Sequence, residues 1–237
     1  MNMSCSFLLS VLSRPHSIPD SSWEQFYYDD HLDNLIQHKI ATKGCMYTLV
    51  PNPMGRDPPD THTHLVLFET EHEKPFESAG FKDVNNTSRL FPPGASTPDV
   101  SDLECRHYEL LEVFDPKGLG KPGNPAPFVL QTEISIDDIE AFCQFYREDH
   151  IPMTAKHPGY RRAIMYRYIN TSVVYGVTPD LDPGSVMVVH EFESFDGLGG
   201  PITKAALETK YAVRMRGAIK TMKARTLKLV CADSSQR

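Results

Sequence analysis

The chain has 237 residues, 23% of them charged and 40% hydrophobic, which excludes a disordered or fibrous protein and fits a soluble globular one. A formal net charge of -7 and a pI near 5.8, with no cluster of lysine or arginine, exclude nucleic acid as an expected partner, since phosphate binding needs a basic patch. No apolar run is long enough to span a membrane, and Cys5, Cys45, Cys105, Cys143 and Cys231 have neither metal-ligand nor redox spacing, so the expectation is a reducing, cytoplasmic setting without membrane or metal.

Met1 to Leu12 has the outline of a signal peptide, but it lacks a positive start and its apolar residues alternate with serine. Phe7 to Arg14 is therefore read as a first strand, ended by Pro15. Asp20, Ser21 or Ser22 can cap a helix from Trp23 to about Ile40, with Glu24 near the positive end of its dipole. Trp23, Tyr27 and His31 fall on one face of that helix. Gly44 reads as a break before a second strand, Cys45 to Val50, and Pro51 to Pro59 as a loop. In a third strand, Thr61 to Glu69, alternation puts His62, His64, Val66 and Phe68 on one face. Phe76 to Leu90 has a weak pattern, read as a short helix and a turn, and Cys105 to Phe114 is a fourth strand.

Asp115 to Pro127 carries Gly118, Gly120, Gly123, Pro116, Pro122, Pro125 and Pro127 and reads as a linker. The order then repeats. A strand from Phe128 to Ile134 precedes a helix from a cap near Ser135 or Asp137 to about Lys156, with Pro152 expected to end or bend it just beyond His150. Strands at Tyr160 to Ile169 and Val186 to Phe195, a helix from Ile202 to Met222 and a strand from Arg225 to Cys231 complete the unit.

The repeat is explicit in the residues. Gln25-Phe26-Tyr27-Tyr28-Asp29-Asp30-His31-Leu32 returns as Gln144-Phe145-Tyr146-Arg147-Glu148-Asp149-His150-Ile151, so Phe142, Tyr146 and His150 take the places of Trp23, Tyr27 and His31. Aligning Phe68-Glu69-Thr70 with Phe192-Glu193-Ser194 sets His190 opposite Val66. The expected architecture is α+β, with two tandem ferredoxin-like β-α-β-β-α-β domains, 1–116 and 128–237, joined by a linker, 117–127.

A lone ferredoxin-like sheet leaves one face bare, and two copies can cover each other, either within one chain as a pseudo-dimer or between chains as a homodimer. With the motif Phe145, Tyr146, His150, Pro152 and the downstream Pro158-Gly159-Tyr160, this resembles the dimeric α+β barrel superfamily, and most of all the EthD-domain proteins of fungi in tandem form. The first copy keeps Phe26, Tyr27 and His31 but has Asp33 where the motif has proline. The resemblance implies one of several activities found on this fold: polyketide cyclases, cofactor-free decarboxylases, lactone isomerases, quinone-forming monooxygenases and some haem enzymes. It also implies that the first-helix histidine points into a pocket between helix and sheet. Fold alone does not choose among these activities.

His150 and Tyr146, with His31 and Tyr27 as their equivalents or relics, are the candidate catalytic groups, because an imidazole can serve as base and then acid in one turnover. The same side chains also fit plain interior packing. His64, His190, Tyr160, Arg162 and Trp23 are candidate substrate contacts, with alternation placing Tyr160, Arg162, Tyr166 and Tyr168 together. Glu191 is either a paired core carboxylate or solvent-facing. No phosphate loop, dinucleotide fingerprint or Ser-His-Asp order is present, so an enzyme without a cofactor is expected, acting on a small hydrophobic molecule. The expected reaction is that of a lyase or isomerase on a polyketide-like or terpenoid intermediate. The alternatives are an oxygen-using oxidase or monooxygenase, or a binding protein without catalysis.

Overall fold

The computed structural model describes residues 5–55, 62–119, 124–176 and 182–236. The first half supplies strands β1 (Phe7–Pro15), β2 (Lys43–Leu49), β3 (His64–Thr70) and β4 (Ser101–Phe114), and the second β5 (Phe128–Ser135), β6 (Tyr160–Tyr175), β7 (Val186–Phe192) and β8 (Thr221–Ala232). They close into one antiparallel barrel in the order β1-β3-β2-β8-β5-β7-β6-β4. Each half keeps the ferredoxin-like order, and the two sheets meet edge to edge where β2 pairs with β8 and β4 with β6. Closure removes the unpaired edges that either sheet would have alone. It also explains why β4 and β6 begin earlier or run further than their sequence suggests, since each is extended by pairing with the other. The start of the third strand at Thr61, much of the loop over 51–59, the middle of the linker (120–123) and part of the loop after β6 (177–181) lie outside the described residues.

Alternation gives each strand an inner and an outer face. Leu8, Leu12, Leu65, Val129, Met187 and Leu227 belong to one apolar cluster inside the barrel. The same inner faces carry a buried ionic network. Arg106 Nε donates to Glu104 at 2.9 Å, Arg106 also binds Glu133, and Arg225 bridges Glu133 at 3.1 Å and the Gln131 side chain at 2.8 Å. Burial alone would raise the Glu133 pKa, but Arg225 and Arg106 outweigh it and hold the carboxyl below the usual carboxylate range.

The outer faces pack against helices in two separate clusters, one per half. Helix α1 comprises Asp20–Phe26, a widened turn at Tyr27–His31, and Leu32–Gln37. In the second half the matching helix comprises Ile139–Phe145, the same widened turn at Tyr146–His150, and Ile151–Thr154; it follows the four-residue α2 (Thr97–Val100) in chain order and is α3. In each widened turn a backbone N–H reaches back five residues, Leu32 to Tyr27 and Ile151 to Tyr146. Such turns are rare and concentrate at functional sites. Pro152 does not end α3, which continues to Thr154 with the proline in the first turn after the widening, where a missing N–H is tolerated. The first half makes the same turn with Asp33 at that position, so proline is not its cause.

Three expectations need correction. The first half has no full second helix: Pro75–Glu77 and Phe81–Asp83 are single turns, and α2 is short, because this stretch is broken by Pro75, Gly80, Pro92, Pro93 and Gly94. The last helix is two, α4 (Pro201–Glu208) and α5 (Lys210–Ala218), separated at Thr209, whose extended backbone lets its hydroxyl cap Ala212 N–H at 2.9 Å. Gly44 lies within β2 instead of preceding it, and a Cβ there would stand 2.8 Å from the Phe68 ring. No described helix is long and apolar enough to cross a membrane.

Candidate active site

The widened turn decides what the repeated tyrosine and histidine can touch. It makes residues five apart neighbours, so His31 stacks on Phe26 at 4.6 Å and His150 lies 5.5 Å from Phe145, each beside its own tyrosine at 5.0 and 4.7 Å. Beyond that the two halves differ.

In the second half, α3 presents Tyr146 and His150 to the outer face of β7, where His190 waits. Tyr146 Oη is 3.4 Å from His190 Nε2, the His150 and His190 rings are 5.6 Å apart, and Tyr160 of β6 is 6.1 Å from His190. Phe114, Phe142, Met165 and Phe192 belong to the surrounding apolar cluster. Three polar atoms in this group, His150 Nδ1, His190 Nδ1 and Tyr160 Oη, are shut from water and have no hydrogen-bond partner among the described residues. Unpartnered buried polar atoms are uncommon and call for an explanation.

The electrostatics follow from that apolar shell. Burial lowers the His150 pKa to about 4, Asp149 opposing it in part, and lowers His190 to about 3, with His150 adding to the effect. Burial likewise pushes the Tyr146 and Tyr160 hydroxyls well above the usual phenol range. At neutral pH the site holds two uncharged imidazoles and two protonated phenols. Asp149 is held by the Thr209 hydroxyl at 2.6 Å, so the break between α4 and α5 anchors the residue next to His150.

The first half has the same helix face, but the alignment of the two sequences sets Val66 against His190, and His64, the histidine on that face of β3, is turned to the helix start instead. Tyr27 and His31 are buried, and His31 Nδ1 donates to the Asn85 carbonyl at 3.1 Å. Burial lowers the His31 pKa to about 4 against that hydrogen bond. Trp23 is completely buried, its Nε1 donating to Ser13 Oγ at 3.1 Å and its ring stacked on Phe91. His64 lies on the expected face, yet its Nε2 pairs with Glu24 at 3.2 Å and its Nδ1 with Thr63 at 3.0 Å.

Arg162 is the clearest departure from the sequence reading. A register shift between Tyr160 and Arg162 leaves Tyr160 on the helix side and turns Arg162 toward the barrel interior. There it makes a two-pronged pair with Glu191 at 2.8 Å on both arms, which also settles Glu191 as a paired carboxylate. Simple alternation put Tyr160 and Arg162 on one face because it could not anticipate the bulge. Arg167 pairs with Glu109 at the surface. Among the described residues, no group of three His, Cys, Asp or Glu side chains is arranged to hold a metal ion.

No protein-family model matches the chain. It is 27% identical over 203 residues, covering 78% of this chain and 81% of the other, to core atranone cluster (CAC) protein 1 of Stachybotrys chlorohalonatus. The barrel is similar to a candidate monooxygenase of Fusobacterium nucleatum, with TM-score 0.55, 10% identity, and 98% of this chain and 95% of that one covered. It is equally similar to an anthrone oxidase-like protein, with TM-score 0.55, 10% identity, and 100% and 97% covered. At these identities the structural likeness establishes the fold, an α+β barrel of the dimeric ferredoxin-like kind with both halves in one chain.

Proposed function

We propose that the chain is an EthD-like enzyme of secondary metabolism whose second half is the working site, a lyase or isomerase that moves protons on an uncharged, enolisable, largely apolar substrate. The observation that carries this reading is the set of three unpartnered polar atoms, on His150, His190 and Tyr160, gathered beside Tyr146 in an apolar shell. Uncharged imidazoles are ready to accept a proton at neutral pH, and buried phenols stay protonated and serve as donors to a developing enolate oxygen. His150 is the main acid-base group and Tyr146 and Tyr160 are hydrogen-bond donors. Removal of a proton beside a carbonyl is the shared first step of cyclisation, decarboxylation, dehydration and double-bond shift. Kinship with a protein of the atranone cluster supports a place in the biosynthesis of a natural product.

A second reading takes the same enolate onward with molecular oxygen, one CH2 becoming a carbonyl and the other oxygen atom leaving as water. It is favoured by the two structural neighbours, a candidate monooxygenase and an anthrone oxidase-like protein. The experiment that tests the first reading is deuterium exchange into the CH2 of anthrone, a simple enolisable probe, with the purified protein and its His150→Ala variant. Oxygen consumption in the same reaction separates the two readings: exchange without uptake supports the lyase or isomerase, and uptake matched to quinone formation supports the oxidase.

A further inference from the structure

The repeat allows one half to be compared with the other residue by residue, Phe26 with Phe145, Tyr27 with Tyr146, His31 with His150. In the first half the helix face is covered by the chain itself. Val84 and Phe91 join the core there, with the Phe91 ring 4.9 Å from Phe26 and 6.1 Å from Trp23. Asn85 is held firmly between them: its N–H donates to Asn34 Oδ1 at 2.8 Å and its side-chain amide to Asp30 Oδ2 at 3.3 Å. Its main-chain carbonyl takes the hydrogen bond from His31 Nδ1 at 3.1 Å. A carbonyl has no hydrogen to give, so the proton of this neutral imidazole sits on Nδ1.

In the second half the corresponding ring position is served by Tyr211 of α5, 5.2 Å from Phe145, but among the described residues no acceptor takes the place of the Asn85 carbonyl. His150 Nδ1 is buried with no acceptor. The two imidazoles also sit differently: His31 is edge-on to Tyr27 at 89°, whereas His150 is tilted at 47° to Tyr146.

We propose that Val84–Phe91 is a built-in occupant of the first site, and that the second site receives a substrate carbonyl oxygen where the first receives that of Asn85, with His150 Nδ1–H as its donor. This rests on the reading of the second half as the working site and adds to it the group that is recognised. The substrate class is a conjugated or aromatic ketone. The hydrogen bond that holds its oxygen strengthens as that oxygen gains charge, so the same contact serves binding and catalysis. The same imidazole keeps a lone pair on Nε2 for the acid-base work, and His190, whose Nδ1 is also unpartnered, stands beside it as a second acid-base group. The first site takes no ligand because its donor is already satisfied.

The test compares xanthone with xanthene, two tricycles of one shape that differ by the carbonyl, binding to the full-length protein by calorimetry. Xanthone is expected to bind about five- to tenfold more tightly, the worth of one buried hydrogen bond, and to shift the His150 Nδ1 resonance in nitrogen-15 spectra. His150→Asn, which keeps an N–H near the Nδ1 position, retains most of the preference, and His150→Ala loses it; circular dichroism verifies that both are folded. Equal affinity for the two tricycles, including no measurable binding of either, overturns the proposal, as does a preference that survives His150→Ala. Failure of the enzyme reading is a separate result: the preference holds while the anthrone exchange rate is the same with and without protein.

Discussion

Tyr146 Oη stands 3.4 Å from His190 Nε2, whereas the alignment of the two sequences sets Val66 against His190 in the first half, so of two copies of one helix motif the second faces this imidazole. The proposed function divides along that difference. His190→Val, which makes the second site resemble the first, is expected to slow exchange by about a hundredfold, within the usual range for losing an acid-base group. His31→Ala, made where the chain already fills its own site, leaves the rate within about twofold of the wild type for the folded fraction. Equal losses from the two variants, read against far-ultraviolet circular dichroism, would contradict the division.

The buried imidazoles predict the direction of a pH effect on stability. His31 and His150 are lowered to about 4 and His190 to about 3, all chiefly by burial, below the value of about 6.5 in an unfolded chain. Between those limits the unfolded chain binds more protons than the folded one, so stability is complete above pH about 6.5 and declines as pH falls toward 4. The urea midpoint is expected to drop from pH 7.5 to pH 5.0, and to drop less in His190→Val. The exchange rate of the remaining folded enzyme should stay level from pH 5.5 to 8, and a rate that titrates near pH 6.5 would argue against uncharged histidines.

Inside the barrel, Glu133 serves Arg106 and Arg225 at once, and Glu133→Gln removes the negative charge that both of them share. Breaking a buried ion pair from one side costs about 3–5 kcal/mol, measurable as a lower midpoint in chemical denaturation at pH 7. Because the arginines overcome burial and hold the Glu133 carboxyl low, its contribution is present above the unfolded value of about 4.3 and is lost as pH falls through the folded one. The deficit of the variant should therefore shrink in acid. A deficit that is constant down to pH 3 would count against the ionised network.

Phe91 anchors the segment that closes the first site, touching both Trp23 and Phe26. Phe91→Ala is expected to destabilise the fold by about 3–5 kcal/mol, the cost of a large cavity. Exchange activity of the protein that remains folded should be unchanged, since the second half keeps its own shell. A loss of activity larger than the loss of folded protein would show that the halves are coupled.

Much of this was legible in the residues. The paired Gln-Phe-Tyr…His segments gave the duplication, and alternation in Thr61–Glu69 and Val186–Phe195 put His64 and His190 on one face without saying which, and packing turns that face toward the helices. Three features had no local signal. The widened turn is a choice of hydrogen-bond partner, Tyr146 to Ile151, that composition does not record. The bulge that separates Tyr160 from Arg162 depends on the β7 partner, and the covering of His31 by Asn85 depends on a contact across 54 residues. Sequence could place candidate groups on a face, but whether a face is filled or left with unpartnered atoms is settled only by packing.

The most direct measurement is the rate of deuterium incorporation into anthrone at pH 7, compared among the wild-type protein, His150→Ala and His31→Ala, each shown to be folded. The account predicts exchange well above the protein-free rate for the wild type and His31→Ala, and a fall toward the protein-free rate, by about a hundredfold or more, for His150→Ala. Undiminished exchange in His150→Ala, or none above background in the wild type, would contradict it.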